Sequence, residues 1–240
     1  MSDIFDEIKK FDSLPQQNLL SKINNLKCSE YIFRVNFGAI YSYFELIENP
    51  KVFIHLWDIK KRERVSSLLL EISRLLNNFL SAAKALIDHT RVFVADVYED
   101  HPFYNEYNQE IKEKFSNQEQ SAFIQGLRNY SLHKKIPIIG AKLDLGTMGQ
   151  NTITHSIHLD KKSLQQWDGW NKTAKLFIEK QNEHIDLKNI VTDYHQLIRV
   201  FYDWFYGRIK EIHKDELDEL EKQRSLLYKQ MKNEKIISLD

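Results

Sequence analysis

Apolar side chains recur every three or four residues along most of the chain, a spacing that is typical of amphipathic α-helices. The longest such pattern lies between Pro50 and Pro102, where the sequence contains neither glycine nor proline. It predicts one helix of roughly 35 residues, or about 50 Å at 1.5 Å per residue. Its apolar stripe consists of Val65, Leu68, Leu69, Ile72, Leu75, Leu76, Phe79, Ala83, Leu86 and Phe93, with His89 as its one ionisable member.

Shorter patterns of the same kind predict helices on both sides of the long one. The first 35 residues indicate one or two short helices outside the main body, and residues 37–47 indicate a short buried helix. Later helices are expected over residues 104–115, from residue 116 or 117 to just before Pro137, over 160–178 and over 186–209. The residues expected to cap the last three of these at their N-termini are Ser116 or Asn117, Asp160 and Asp186.

After Pro137 the apolar period changes from 3.6 residues to 2, which indicates β-strands. Apolar residues alternate with small or polar ones over residues 139–145 and again after a glycine-containing turn. We therefore expect a β-hairpin at about residues 138–159, inserted between helices. His155 and His158 fall on opposite faces of its second strand and cannot ligate one metal ion together, so no metal site is predicted there.

Composition supports a mainly helical fold. The chain has 240 residues, of which seven are glycine and four are proline, too few for the frequent turns of an all-β protein. We expect an all-α fold, a helical bundle with long antiparallel helices and a small inserted β-hairpin, in a single domain over residues 1–240. A charged C-terminal helix at about residues 211–235 is either solvated or binds a partner.

Charge and cysteine content restrict the classes of function. The 34 basic and 34 acidic residues cancel, so any contact with nucleic acid has to be local. Cys28 is the single cysteine, which fits a reducing compartment and excludes a cysteine-based zinc site. The acidic N-terminus does not resemble a signal peptide and no apolar run is long enough to cross a bilayer, so a cytoplasmic protein without membrane contact is expected. Phosphate-binding loops and dinucleotide fingerprints are absent from the sequence, and no cofactor is predicted.

Polar residues are concentrated at the end of one predicted core helix. Arg128 and Asn129 are followed by His133, and Asn129 and His133, four residues apart, share one face of the helix. Tyr130 falls on the core face and is expected to pack there. His133 should lie in the last turn, because the residue before a proline is disfavoured in the α conformation. Lys134 and Lys135 follow, adding positive charge, and together these residues form a candidate site that a ligand can reach.

Spacing alone does not single out this site, since short motifs also arise by chance. Arg208 and His213 repeat the same spacing near the start of the charged tail. Context separates the two pairs, because Arg128 is followed by the polar Asn129 at the end of an apolar helix, whereas Arg208 is followed by Ile209.

With asparagine after the arginine, this stretch resembles the Arg-Asn-x-x-x-His signature of the HEPN superfamily, whose members are helical bundles. The resemblance rests on Arg128, Asn129 and His133, and it is accompanied by a long helical hairpin before them. It implies a metal-independent ribonuclease, often a toxin or antiviral effector, that acts as a homodimer with the two motifs facing one cleft. Other members are inactive. Lys135 stands where a subgroup regulated by a partner nucleotidyltransferase has tyrosine, so that regulation is not expected.

The residues suit this chemistry on their own terms. Metal-free RNA cleavage requires one group to remove the ribose 2′-OH proton, one to protonate the 5′ oxygen and a cation to neutralise the phosphate. His133 in two subunits can supply the first two and Arg128 the third. Asn129 can orient His133 or the phosphate, and Lys134 and Lys135 can bind RNA.

Two alternatives stay open. Arg128, Asn129 and His133 could instead cap the helix and bridge to carbonyls or to Asp88, leaving a non-catalytic module that binds protein partners such as an antitoxin. His89, beside Asp88, is either a core histidine paired with an acceptor or a part of the same site across the bundle.

Overall fold

The computed structural model describes residues 2–56, 62–144 and 154–233. Helices make up most of it, and a small antiparallel sheet accompanies them, which confirms the predicted fold class. None of the helices in these ranges is both long and apolar enough to span a membrane. The helices are α1 (Ser2–Asp12), α2 (Pro15–Glu48), α3 (Pro50–Leu56), α4 (Arg62–Tyr98), α5 (Pro102–Ile111), α6 (Glu119–His133), α7 (Lys161–Gln165), α8 (Lys172–Lys180), α9 (Leu187–Ile212) and α10 (Lys214–Asn233), and the strands are β1 (Ile139–Asp144), β2 (Thr154–Asp160) and β3 (His184–Asp186).

The chain folds into two compact units, one from Met1–Cys28 with Phe201–Asp240 and the other from Ser29–Val200. In the first, α1 packs against α10, the charged C-terminal helix that the sequence predicts. Ile4 and Leu220 are buried there, whereas most of α10 is exposed. The second unit contains α3 to α8, the sheet and the candidate site.

The long helix α4 extends over 37 residues and confirms the prediction made from its apolar stripe. Ile72, Leu76, Phe79 and Leu86 on that stripe are almost fully buried, as hydrophobic burial requires. His89 differs from them, because it is exposed although it continues the same stripe.

The prediction of only short helices before residue 50 is wrong. Residues 15–48 form one helix of 34 residues, α2, instead of a short peripheral helix and a short buried one. No proline interrupts this range after Pro15. Gly38 lies within it on the exposed side, where a Cβ atom would meet nothing within 4 Å. A solvent-facing glycine weakens a helix by about 1 kcal/mol without ending it when the other face is packed.

The predicted hairpin is present, with β1 and β2 antiparallel and Ile139 opposite Leu159. The predicted turn and the predicted strand residues within 145–153 lie outside the described residues. A third strand, β3, pairs with β2 and was not predicted, because three residues are too short to show an alternating pattern. Leu159 and Ile185 are opposite each other and both buried, which fixes this register.

Helix caps follow the sequence where a carboxylate or amide is available. Asp160 accepts a hydrogen bond from the Ser163 N–H at 2.6 Å and begins α7. The backbone N–H of the third residue of α9 donates to Asp186 at 2.9 Å. Both caps were predicted, but the single helix expected over residues 160–178 is two helices, because Asn171 caps α8 separately.

Helix α6 carries the candidate motif and departs from the prediction at its start. Ser116 and Asn117 do not cap it, because residues 112–116 form a π-helical turn and Gln118 occupies the cap position without a side-chain hydrogen bond. Its end agrees with the prediction, since His133 is the last helical residue. Gly126 marks a close approach, because a Cβ atom there would lie 2.7 Å from the ring of Trp170.

Candidate functional site

One side of α6 packs in the core, which determines which side chains of its last turns are exposed to solvent. Phe123, Leu127 and Tyr130 are completely buried, as their spacing predicts. Asn129 and His133 are exposed, and Arg128 is partly buried between these two sides. The polar part of the motif therefore lies at the margin of the unit, within reach of a ligand.

Tyr130 holds this helix end in place. Its ring stacks on Trp170 with centroids 5.8 Å apart and meets Trp167 edge-on at 5.5 Å. Its hydroxyl lies 3.3 Å from Ser163 Oγ. Both the ring and the hydroxyl therefore have partners inside the protein, and Tyr130 packs in the core as predicted. Its contribution to the candidate site is to fix the backbone that carries Arg128 and His133.

The side chains of Arg128 and His133 make no hydrogen bond or ion pair with any described residue. The Nε atom of Arg128 is buried and has no hydrogen-bond partner there. A buried donor without a partner costs about 1–3 kcal/mol, so such a group calls for an explanation. The two residues are five positions apart, or about 140° around the helix axis. One anion can contact both only at the helix end, where the long guanidinium and the imidazole can converge.

Asp88 and His89 have other contacts. Asp88 forms ion pairs with Lys84 and Arg91 on its own helix, the second at 3.8 Å. His89 Nδ1 lies 2.7 Å from Ser29 Oγ on α2. No polar contact in the described part of the chain joins either residue to α6. His89 is thus paired with a nearby hydroxyl, the simpler of the two sequence-based interpretations, although it is exposed and not in the core.

The segment after the motif combines positive charge with apolar surface. Lys134 and Lys135 are exposed and follow His133 directly. Leu132, Ile136 and Ile138 beside them are 54%, 51% and 50% exposed. Half-exposed aliphatic side chains next to two lysines suit a surface that binds a macromolecule.

The second arginine–histidine pair of the sequence is neutralised. Arg208 forms an ion pair with Glu211, and His213 Nδ1 lies 2.9 Å from Glu216. These acids are three residues from their partners on the same helical stretch. The contrast with Arg128 and His133 follows from sequence neighbours, because no acidic residue lies between Glu119 and Asp144.

A further basic group was not predicted. The ring of His195 on α9 stacks on Phe37 of α2, with centroids 3.6 Å apart and planes inclined by 2°. Burial lowers the pKa of His195, and the charges of Arg199 and Arg34 lower it further. These residues come from distant parts of the sequence, so no short motif could reveal the cluster.

Histidines also meet in the sheet. The rings of His158 and His184 lie 4.0 Å apart between centroids, and burial followed by the neighbouring His184 lowers the pKa of His158. No group of three or more His, Cys, Asp or Glu side chains within the described ranges could hold a metal ion. Comparison with models of known protein families, with characterised proteins and with solved structures gives no match to this chain.

Proposed function

We propose that the protein is a metal-independent endoribonuclease, of a toxin or phage-defence type, whose catalytic residues are Arg128 and His133. The observation that supports this proposal is that both side chains lie at one helix end without a partner in the described chain, whereas the similarly spaced Arg208 and His213 are neutralised by acids. An unpaired guanidinium and imidazole can contact a phosphodiester directly, whereas paired ones must first leave their acidic partners.

In the proposed reaction, neutral His133 removes the proton of the ribose 2′-OH, and the 2′ oxygen attacks phosphorus. The bond from phosphorus to the 5′ oxygen breaks, and a protonated imidazole supplies the proton of that leaving oxygen. The products are a 2′,3′-cyclic phosphate and a 5′-hydroxyl. Arg128 neutralises the charge that develops on the phosphate oxygens, and Lys134 and Lys135 hold the neighbouring phosphates.

Two imidazoles are required, and we propose that a homodimer supplies them from one residue. Leu132, Ile136 and Ile138 offer the apolar area around His133 that such a contact would bury. Asn129 is exposed on the same face as His133, which is compatible with its proposed role of orienting the imidazole or the phosphate.

Cleavage of a mixed RNA pool in EDTA tests the proposal. Wild-type protein is expected to release fragments with 2′,3′-cyclic phosphate ends, and His133→Ala to lower the rate by 10²-fold or more, in line with the usual contribution of an acid–base group. His213→Ala is the matched control and should cleave like wild type. A second variant, His195→Ala, tests the rival basic cluster. Full activity in His133→Ala, or loss in His195→Ala alone, would overturn the assignment.

The exposed aliphatic residues favour a second candidate, a non-catalytic module that binds an antitoxin or another protein through the same surface. Ile136→Asp and Ile138→Asp would abolish this binding while leaving the fold intact, because both side chains are already half exposed. If folded wild-type protein is dimeric but leaves RNA uncut, this candidate replaces the first.

A further inference from the structure

A cleft with mostly polar lining residues lies elsewhere in the second unit, between the π-helical turn, the start of α6 and α9. Its volume is about 390 Å³, within the range of small-molecule sites. The π turn contributes two of its lining residues, and such turns recur at functional sites. The cleft is lined by Glu113, Lys114, Gln118, Gln120, Ser121, Asp193, Tyr194 and Leu197.

Two hydroxyl groups at this cleft are buried without partners. Ser121 is 0% and Tyr194 is 1% exposed, and neither Ser121 Oγ nor Tyr194 OH has a hydrogen-bond partner among the described residues. Burial raises the pKa of Tyr194 far above its usual range, so the hydroxyl stays protonated. Two buried hydroxyls without hydrogen-bond partners lower the stability of the fold. Their presence at one cleft indicates that a ligand supplies the missing partners.

The amide N–H groups of the two glutamines at the cleft already have acceptors, whereas the hydroxyls of Ser121 and Tyr194 have no partner in the described part of the chain. Gln118 donates its side-chain N–H to a backbone carbonyl of the π turn at 3.4 Å, and Gln120 donates to a backbone carbonyl of α9 at 3.2 Å. Lys114 Nζ lies 2.8 Å from a Glu110 carboxylate oxygen. Because the amide N–H groups face backbone carbonyls, the side-chain carbonyl oxygens of both glutamines remain as acceptors.

The charges that remain are negative. Glu113 uses one carboxylate oxygen to accept from Gln109 at 2.9 Å, and Asp193 is exposed and makes no ion pair within the described chain. Lys114 is the one cation among these lining residues and its charge is offset by Glu110, so the cleft offers mainly carboxylates, amide carbonyls and hydroxyl oxygens. A complementary molecule therefore carries positive charge and several N–H donors.

We propose that this cleft is a binding site for a small aliphatic polyamine, with Asp193 and Glu113 pairing its ammonium groups and Tyr194 and Ser121 accepting its N–H groups at the floor. The proposal does not depend on RNA cleavage at α6. It would make the protein responsive to the concentration of an amine metabolite.

Spermidine is the probe, and calorimetric titration of the full-length protein at moderate salt is the measurement. Wild type is expected to bind one equivalent saturably. Asp193→Asn should weaken the affinity about tenfold, which is the usual cost of losing a charge-assisted hydrogen bond. Asp203→Asn, an exposed carboxylate on the same helix, is the control and should bind like wild type. Equal weakening in both variants would mean non-specific attraction to acidic surface and would overturn the proposal.

Tyr194→Phe is a second test, because it distinguishes a hydroxyl that binds the ligand from one that only stabilises the fold. Removing an unpartnered buried hydroxyl should leave the melting temperature of the free protein unchanged or raised. The same variant should lose affinity for spermidine and the thermal stabilisation that spermidine confers. The proposal fails if Tyr194→Phe binds spermidine like wild type, or if glutamate or inorganic phosphate binds in this cleft and spermidine does not.

Discussion

Replacing Gly126 by alanine should destabilise the protein, against the usual preference of helices for alanine. In an open helix this change stabilises by about 1 kcal/mol. At position 126 the added Cβ would lie 2.7 Å from two ring atoms of Trp170. Carbon atoms in favourable contact are about 3.5–4.0 Å apart, so the ring or the helix would have to move by roughly 1 Å.

Trp170 has little freedom to move. It is 4% exposed, and its ring stacks on Phe123 and Tyr130 at centroid distances of 5.5 and 5.8 Å. Its indole N–H donates to the Leu164 carbonyl at 2.7 Å. Overpacking of this kind costs about 1–3 kcal/mol, and straining the buried hydrogen bond adds up to about 1 kcal/mol. After subtracting the helical gain, we expect a net loss of about 1–2 kcal/mol.

Gly38 is the matched control, because it is also helical, lies in the same unit and has nothing within 4 Å of its added Cβ. Gly38→Ala should raise the free energy of unfolding by up to about 1 kcal/mol. Urea denaturation of both variants and wild type, run side by side, measures the difference. With urea slopes of about 1–3 kcal/mol/M, the two midpoints should differ by roughly 1 M or more. If Gly126→Ala is as stable as Gly38→Ala, the contact with Trp170 does not constrain the helix.

Three further predictions concern stability. The pKa of His158 is lowered in the folded state by burial and by His184, so the unfolded chain binds the proton more readily. The free energy of unfolding should therefore fall as the pH drops below about 6.5. His158→Gln should make this pH dependence smaller, which urea titrations at pH 7.5 and 5.5 can measure. Asp160→Ala removes the cap at Ser163 and should cost about 1 kcal/mol, whereas Asp160→Asn should retain most of it; equal losses would refute the cap. Tyr130→Phe should cost less than about 1 kcal/mol, because the hydroxyl contacts with Ser163 are long, at 3.3–3.4 Å. A larger loss of stability in thermal melting would show that these contacts are stronger than their lengths indicate.

The sequence alone determined the elements whose cause is local. A period of 3.6 placed α4, Pro137 placed the end of α6, a period of 2 placed the hairpin, and carboxylates marked the starts of α7 and α9. Local charge also separated the neutralised Arg208 from Arg128, since acids three residues away on a helix are within reach of their partners. These features depend only on the order and spacing of residues along the chain, which can be read from the sequence.

Tertiary structure decided whatever depends on residues that are distant in sequence. It placed Trp170 against Gly126, paired His89 with Ser29, and added β3 to the hairpin. It also brought Ser121 of α6 and Tyr194 of α9 to one cleft with both hydroxyls unpartnered. Periodicity identifies the buried face of a helix but not its neighbour, because many partner faces are equally apolar and only the packing of the whole chain selects one.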